Sequence, residues 1–464
     1  GGSDGGTTSG ASGAGGSRGG SPSTGGRGGS ATGGAGDGGM TGGQAGESGG
    51  SGGAEDGGEG GRGPDDTSVT GRVVDFWLQP LANVPVTIGT QTVATDAQGR
   101  FSIAGVAPEY DASLFLTWPG GQPGRYAWRF EGLTRRDPTL QVYKGRENRY
   151  ADIVLEPQGA TLDATRVLSV GLGGPNGASR FEDVGESGRT TSVTWYGPPT
   201  TQANLHALVW AFDDNELPTA YHSYETTTAS FDSTSSADTT VALNLADEDI
   251  LSGTIGGTVT SPSSSSDRTN YAFVRFADHA SIRLLIDYAG PDAFSYLFPQ
   301  VPDSDYTIAA SYGNSTFGAY GIAHRDVFLL GQTGHVITIP AAATQVVPVS
   351  GISNVNANTQ FSWSGVTGPC VFHAEDLDFY EGIFVVTTRR NITFPTFGNF
   401  VPRAGASYNW RVETHGSATS VDELAGSFGY LDSFSRMDDY EEGPRMVYDG
   451  SYTISTGRRF TTAP

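Results

Sequence analysis

Apolar and polar residues alternate in short runs along the chain from Val69 to its C-terminus. In the run 84–88, for example, the first, third and fifth residues are aliphatic. A period of two predicts β-strands that bury one face. Turn residues separate the runs, as at 96–99, where we expect a hairpin turn with Gly99 at positive φ. The pattern predicts an all-β fold of tandem Greek-key β-sandwiches after a disordered, Gly-rich N-terminal segment.

The N-terminal segment, residues 1–67, is rich in glycine, with serine, threonine, alanine and a few acids among the glycines. A segment of this composition buries too little apolar surface to offset its conformational entropy, so we expect it to be disordered. A flexible Gly-rich coil of this length has an end-to-end distance of roughly 45 Å. We therefore predict a tether that holds the folded part away from a surface.

The start of the chain bears on its location. The chain begins at Gly1, and its first methionine is Met40, so we expect that a signal segment has been removed. The Gly/Ser/Asp-rich start is similar to the mature end of bacterial lipoproteins, in which the lipidated cysteine would lie upstream of Gly1. This resemblance implies an extracellular or cell-surface protein, a bacterial outer-membrane lipoprotein, that contacts the membrane only through such an anchor.

Charge and hydropathy exclude two classes of partner. The formal net charge is -23, and acidic residues occur throughout the chain. Because nothing in the sequence could neutralise phosphates at scale, we predict that the protein binds no nucleic acid. No run of apolar residues approaches the length that spans a bilayer, so we predict no transmembrane helix.

The first predicted sandwich covers residues 68–157. Gly71 and Val73 match a G-x-V pattern, the segment 80–86 matches P-L-x-x-V-x-V, and the segment 95–101 matches T-D-x-x-G-x-F. This combination resembles the carboxypeptidase regulatory-like (transthyretin-like) β-sandwich. The resemblance implies a seven-stranded Greek-key fold and no catalysis, because the module is an accessory fold in that family.

Weaker versions of this pattern predict two related sandwiches, at 158–251 and 252–344. In the second of these, the segment 253–259 has the character of an opening strand, and the segment 292–302 repeats the spacing of apolar residues found in the first sandwich. The middle sandwich depends on shorter apolar runs. Whether it is a true repeat stays open.

The last predicted domain, residues 345–464, has a different signature. Trp363 lies in an early apparent strand, and the segment 408–412 reads Y-x-W-x-V in a late one. This looks like a fibronectin type III domain, in which Trp363 would be the core tryptophan. It departs from that family by a long insertion at 417–450. Loops of this size in compact domains are usually functional or disordered.

The insertion carries the candidate ligand-binding residues. Its clustered carboxylates suit calcium, although they lack the spacing of a calcium-binding loop. Its aromatic rings suit contact with a carbohydrate or protein ligand. Solvated acids, and rings that pin the loop to the sandwich, are the alternatives. The candidate metal ligands are Asp438, Asp439, Glu441 and Glu442, and the candidate binding residues are Tyr430, Phe434, Tyr440 and Tyr448.

Catalytic motifs are absent from the sequence. The 7 histidines form no H-E-x-x-H motif, and there is no G-x-S-x-G elbow or Walker loop. Cys370 begins an apparent strand, where we expect a buried, inert thiol. A nucleophile formed by Cys370, His373 and one of the two acids at 375 and 376 is the alternative. We predict no enzyme, no catalytic residue and no cofactor besides calcium.

These observations predict a non-enzymatic cell-surface or secreted protein with a role in adhesion, ligand binding or envelope structure. We expect a tethered rod of sandwiches whose last domain is a distal cap. The alternative is a secreted hydrolase, or a hydrolase-accessory protein, with an unrecognised site in residues 160–345. A cleft lined by several acids between the second and third sandwiches would favour that alternative. The ligand and the oligomeric state stay open.

Overall fold

The computed structural model describes residues 67–464, except for 76–78, 118–123, 143–147, 164, 175–181, 185–189, 197, 236, 263–267, 279, 289, 314–317, 328, 377–380, 396–399, 417 and 427–449. Its regular structure consists almost entirely of β-strands, which confirms the predicted all-β fold. Among the described residues, no helix is long and apolar enough to cross a membrane.

The first sandwich consists of β1 to β7. In one sheet the order is β4-β1-β7, and in the other β3, β2, β5 and β6 lie side by side. Apolar side chains such as Leu114, Trp128 and Phe130 are buried in its core. The strands are β1 Val69–Val74, β2 Pro85–Ile88, β3 Gln91–Ala94, β4 Arg100–Ile103, β5 Tyr110–Thr117, β6 Arg125–Leu133 and β7 Thr139–Gln141.

A turn at 96–99 is confirmed, but it does not close a hairpin, because β3 pairs with β2 in one sheet and β4 pairs with β1 in the other. Gly99 has a φ of +71°, and a Cβ at this position would lie 2.5 Å from the carbonyl oxygen of Val73. Oδ1 of Asp96 accepts the backbone N–H groups of Gln98 (2.9 Å) and Arg100 (2.8 Å). Glycine is needed here because both the backbone conformation and the close approach exclude a side chain.

The second sandwich consists of β8 to β14, with sheet orders β10-β9-β12-β13 and β11-β8-β14. The sequence placed residues 148–157 in the first sandwich, but β8 pairs with β11 and β14 instead. Alternation in β8 shows which side chains it buries without identifying its partner strands. The strands are β8 Asn148–Gln158, β9 Arg166–Gly173, β10 Glu182–Val184, β11 Thr190–Tyr196, β12 Thr200–Phe212, β13 Pro218–Asp232 and β14 Thr239–Asn244.

The third sandwich consists of β15 to β21. One of its sheets has the order β18-β15-β21, and the other contains β17, β16, β19 and β20. Phe273, Phe298 and Ile308 are buried in this part of the chain. The strands are β15 Ser252–Thr260, β16 Arg268–Phe276, β17 Ser281–Asp287, β18 Ala293–Pro299, β19 Ser304–Gly313, β20 Tyr320–Val327 and β21 His335–Thr338.

The last sandwich consists of β22 to β30 and the helix α1. Trp363 and Trp410 are buried in its core, and the burial of Trp363 was predicted. β22, β24 and β27 form one sheet, which faces β25, β26 and β28 across this core. The elements are β22 Thr344–Val347, β23 Ile352–Val355, β24 Gln360–Ser364, β25 Cys370–Asp376, β26 Glu381–Thr387, β27 Asn391–Thr393, β28 Ser407–His415, α1 Val421–Leu424, β29 Ser451–Ile454 and β30 Arg458–Thr462.

The first, third and last sandwiches share one continuous hydrogen-bonded sheet. β6 pairs in parallel with β26, with Arg125 opposite Glu381 and Phe130 opposite Val386. β20 pairs antiparallel with β29. In the order of strands, the last sandwich therefore lies between the third and the first.

The predicted rod with a distal last domain is consequently wrong. Val371, Phe384 and Val386 of the last sandwich belong to the core of the first. The ring of Trp128 stacks on that of Phe384, with centroids 4.0 Å apart and an interplanar angle of 4°. Sequence alternation identifies buried positions, but it does not show that a strand from the other end of the chain completes a core.

Candidate functional site

The predicted ligand-binding residues of the insertion lie outside the described residues. This applies to Asp438, Asp439, Glu441 and Glu442, and to Tyr430, Phe434, Tyr440 and Tyr448. Their roles therefore stay predictions. In the part of the chain that the structure does describe, no group of His, Cys, Asp and Glu side chains is placed to hold a metal ion.

The helix α1 attaches the beginning of the insertion to the first sandwich. The Asp422 carboxylate accepts the backbone N–H groups of Thr134 (2.9 Å) and Arg135 (3.0 Å), and also the Thr134 hydroxyl. Burial opposes the charged form, but these bonds keep the pKa of the Asp422 carboxyl below its usual value. The buried side chains of α1 join the core of the first sandwich.

An open groove of about 970 Å³ lies on the outer face of the first sandwich. We call it the β2–β5 groove, and it is lined by the β2–β3 hairpin, by residues 105–111 and by outward-facing side chains of β5 and β6. Thr87, Ser113 and Phe115 are half-buried and alternate with buried core residues along β2 and β5. The volume is at the upper end of the range for small-molecule sites, about 300–1,000 Å³.

A row of polar side chains crosses the floor of the groove. In the strand register, Thr92 lies opposite Thr87, Thr87 opposite Ser113, and Ser113 opposite Arg129. The Thr87 and Thr92 hydroxyl oxygens are 2.9 Å apart and share one hydrogen bond. Because each hydroxyl offers one donor and two acceptor positions, this bond leaves part of their capacity for a ligand.

Two carboxylates hold Arg129 at the end of this row. Nη2 of Arg129 donates to Oδ2 of Asp111 at 2.5 Å, and Nε lies 3.4 Å from Oε1 of Glu131. Asp111 also accepts the backbone N–H of Gly132 at 3.0 Å. Glu131 is buried, and Nη1 of Arg389 from the last sandwich lies 3.7 Å from its Oε2. The guanidinium is thus oriented before any ligand arrives.

Phe115 provides an apolar surface where the groove meets the last sandwich. Its ring centroid is 5.9 Å from that of Phe400. The guanidinium of Arg125 lies over the other ring, 5.3 Å from the Phe400 centroid, and donates to the buried Glu381 at 2.5 Å. These contacts fix the Phe115 ring at the junction.

His206 lies at the junction of the second and third sandwiches. Its Nε2 is 2.9 Å from Oδ2 of Asp278, its Nδ1 is 2.8 Å from the Tyr224 hydroxyl, and its ring stacks on Phe276 at 3.9 Å. Burial raises the pKa of Tyr224 to about 12, with a further contribution from Asp278. The hydroxyl therefore stays protonated, and the ring nitrogens of His206 are engaged. The His206 ring therefore joins the second sandwich to the third.

The cleft beside that junction has a volume of about 320 Å³. Its lining is mainly apolar, with Trp210, Phe212 and Tyr288, and its charged side chains are Glu216 and Arg283. Within the described residues, it is not the cleft with several acids that would favour a hydrolase.

β25 and β28 bring two histidines and two glutamates together. Nδ1 of His373 is 3.0 Å from Glu413 and Nε2 is 3.0 Å from Glu375, while Nε2 of His415 is 3.9 Å from Glu413. Burial opposes a charged His373, but the two carboxylates outweigh it and raise its pKa to about 10. Burial lowers the pKa of His415 to about 4, although Glu413 acts in the opposite direction.

Cys370 is buried, as predicted. Its Sγ lies 3.5 Å from the carbonyl oxygen of Thr387, and burial raises the pKa of the thiol to about 11. Cys370 and His373 are three residues apart on β25, so their side chains point to opposite faces of the sheet. The alternative of a Cys–His–acid nucleophile is therefore wrong.

The sequence does not distinguish the residues of the β2–β5 groove from those of an ordinary sheet surface. Asp111, Ser113 and Arg129 occupy solvent-facing positions of alternating strands, where polar residues are expected on any sheet. Phe115 is the exception, because it places an aromatic ring on the polar side of β5. That break in the pattern was the one signal in the sequence for a site on this face.

Comparison with known proteins gives little guidance. No protein-family model and no curated protein matches the chain. The Bacillus anthracis TIE protein is a similar structure, at 10% identity over 59% of this chain and 50% of that one, with a TM-score of 0.17. The shaft pilin SpaA from Lactobacillus rhamnosus GG is 6% identical over 43% of this chain and 100% of that one, with a TM-score of 0.15. BcpA, the major pilin subunit of Bacillus cereus, is 12% identical over 59% of this chain and 98% of that one, with a TM-score of 0.13.

The chain spans half the length of the TIE protein structure. At TM-scores of 0.13 to 0.17, none of these similarities bears on the function of this chain.

Proposed function

We propose that this chain is a non-enzymatic, cell-surface or secreted protein that presents a ligand-binding surface on a rigid scaffold, with a role in adhesion or envelope structure. The observation that carries the proposal is the continuous sheet through the first, third and last sandwiches. Sandwiches that share backbone hydrogen bonds keep their surfaces at fixed distances. This property suits display or load-bearing better than it suits chemistry that requires domain closure.

The state of the titratable clusters supports a non-catalytic role. A general base needs an accessible ring or carboxylate whose pKa lies near the working pH. His373 is held charged by Glu375 and Glu413, and His415 is kept neutral by burial. His206 is 7% exposed and engaged at the junction. These groups are used to join strands and sandwiches.

The proposed location rests on the sequence. A Gly-rich segment at 1–67 suits a tether, and the formal charge of -23 suits an exposed protein that must stay soluble. The proposed location is the bacterial outer membrane. Carbohydrate or protein is the proposed class of partner.

Labelling of intact cells tests this function. An antibody raised against residues 67–464 should label unpermeabilised cells of the native source, whereas a cytosolic marker should require permeabilisation. Protease added to intact cells should remove the signal. Labelling that appears only after permeabilisation would contradict the proposed location and, with it, a role in adhesion or envelope structure.

A further inference from the structure

We propose that the β2–β5 groove binds a neutral oligosaccharide. The inference rests on the proposed ligand-binding function and names the class of ligand and its site. It is carried by the dimensions of the groove, by its hydrogen-bonding groups, by its apolar ring and by the balance of its charges.

The dimensions suit an extended ligand. The groove is open along the sheet face and has a volume of about 970 Å³, so it has room for several linked sugar rings. Its floor is formed by strands, which hold the side chains at fixed positions, and a preorganised site costs less conformational entropy on binding.

The hydrogen-bonding groups suit a polyol. Thr87, Thr92 and Ser113 place three hydroxyls side by side, and each can both donate and accept. Sugar hydroxyls have the same dual capacity, so a row of them can pair with this row in several rotamer combinations. Arg129 adds donors whose direction Asp111 fixes.

The Phe115 ring suits the apolar C–H face of a sugar. A pyranose presents C–H groups on one face and hydroxyls around its edge, so it favours a site in which an aromatic surface lies beside polar groups. Phe115 is a half-buried ring on this face. It lies two residues after Ser113 on β5, so both side chains are on the same side of the strand. Covering it would remove apolar surface from water.

The charges favour a neutral ligand. Asp111 and Arg129 form an ion pair at 2.5 Å and compensate each other. Glu109 lies at the exposed rim, and the chain as a whole has a formal charge of -23, which repels polyanions. An extended peptide would gain its main-chain hydrogen bonds at β3, which is the edge strand of this sheet among the described residues, and not on this face.

Glycan-array binding by the full chain tests the proposal. The array carries neutral glucans, mannans, xylans and galactans together with anionic polysaccharides, and a basic decapeptide is tested beside it. Ser113→Trp fills the middle of the groove and should weaken binding to at least one neutral glycan more than 10-fold. Thr87→Val removes one hydroxyl with little change in shape and should weaken the same binding by about 3- to 10-fold.

Ser102→Trp is the matched control, because Ser102 is an exposed serine on β4 in the other sheet of the same sandwich. It should leave binding unchanged, and circular dichroism should show that all variants fold. The proposal is overturned if no neutral glycan binds, if Ser113→Trp has no effect, or if only the peptide or a polyanion depends on Ser113. None of these results would affect cell-surface labelling. The glycan proposal can therefore fail while the proposed cell-surface function stands.

Discussion

Of two histidines on paired strands, one is charged and the other neutral, because their surroundings differ. His373 lies between Glu375 and Glu413, each at 3.0 Å, whereas His415 is 3.9 Å from Glu413. Two close carboxylates compensate the cost of burying an imidazolium, and one distant carboxylate does not. The charge of His373 is therefore part of what joins β25 to β28.

This arrangement predicts a loss of stability at alkaline pH. The pKa of His373 is raised from 6.5 in the unfolded chain to about 10 in the fold. Its contribution is present in full below pH 6.5 and is lost as the pH rises through 10. Urea denaturation should show the free energy of unfolding falling by about 3 to 4 kcal/mol between pH 7 and 10.

The variant His373→Gln should flatten that dependence, because the amide does not titrate. Equal slopes for the variant and the native chain would show that His373 is not held charged in the fold.

The thiol of Cys370 should be inert in the folded protein. It is 0% exposed, and its pKa is raised to about 11, so the reactive thiolate is scarce at pH 8. Ellman's reagent should label the native chain only at the rate of unfolding, and should label it rapidly in urea. Rapid labelling of the native chain would contradict the burial of Cys370.

At the scale of elements, the Asp422 carboxylate bonds α1 to the backbone of the first sandwich. Asp422→Ala would leave the N–H groups of Thr134 and Arg135 without their acceptor, and we expect a loss of about 1–3 kcal/mol in the free energy of unfolding. Urea denaturation of the full chain measures this. Glu423→Ala is the control, because the Glu423 carboxylate accepts its bonds from Thr419, which is close by in the chain, so its loss should cost much less.

Local elements could be predicted from the sequence, and their assembly could not. The turn at Gly99 and the strand with Trp410 follow from short-range rules on backbone conformation and alternation. The pairing of β6 with β26 joins segments that are far apart in sequence, and no local rule specifies it. Its signal in the sequence is the unbroken apolar run 383–386 in β26, which is typical of a strand covered on both faces.

The candidate binding residues also differ in how far the sequence predicts them. The predicted acids and aromatic residues of the insertion lie outside the described residues, so their roles stay predictions. The β2–β5 groove is formed by solvent-facing positions whose polar character is ordinary for a strand. Its shape depends on how the β2–β3 hairpin and residues 105–111 lie together, which a period of two does not reveal.

At the scale of the molecule, the first sandwich should depend on the last. Removal of residues 345–464 would take Val371, Phe384, Val386 and α1 from the core around Trp128. We expect the shortened chain to bind a hydrophobic dye and to show a red-shifted tryptophan emission. A shortened chain with native-like emission and no dye binding would show that the first sandwich is independent.

The central claim is that β6 and β26 are interior strands of one shared sheet. Amide hydrogen exchange of the full chain, resolved by peptide, tests it most directly. The shared sheet predicts that amides of β6 and β26 exchange as slowly as those of the central strand β28, because they open only with the whole unit. Exchange of both strands at the rate of a free edge such as β3 would contradict the claim.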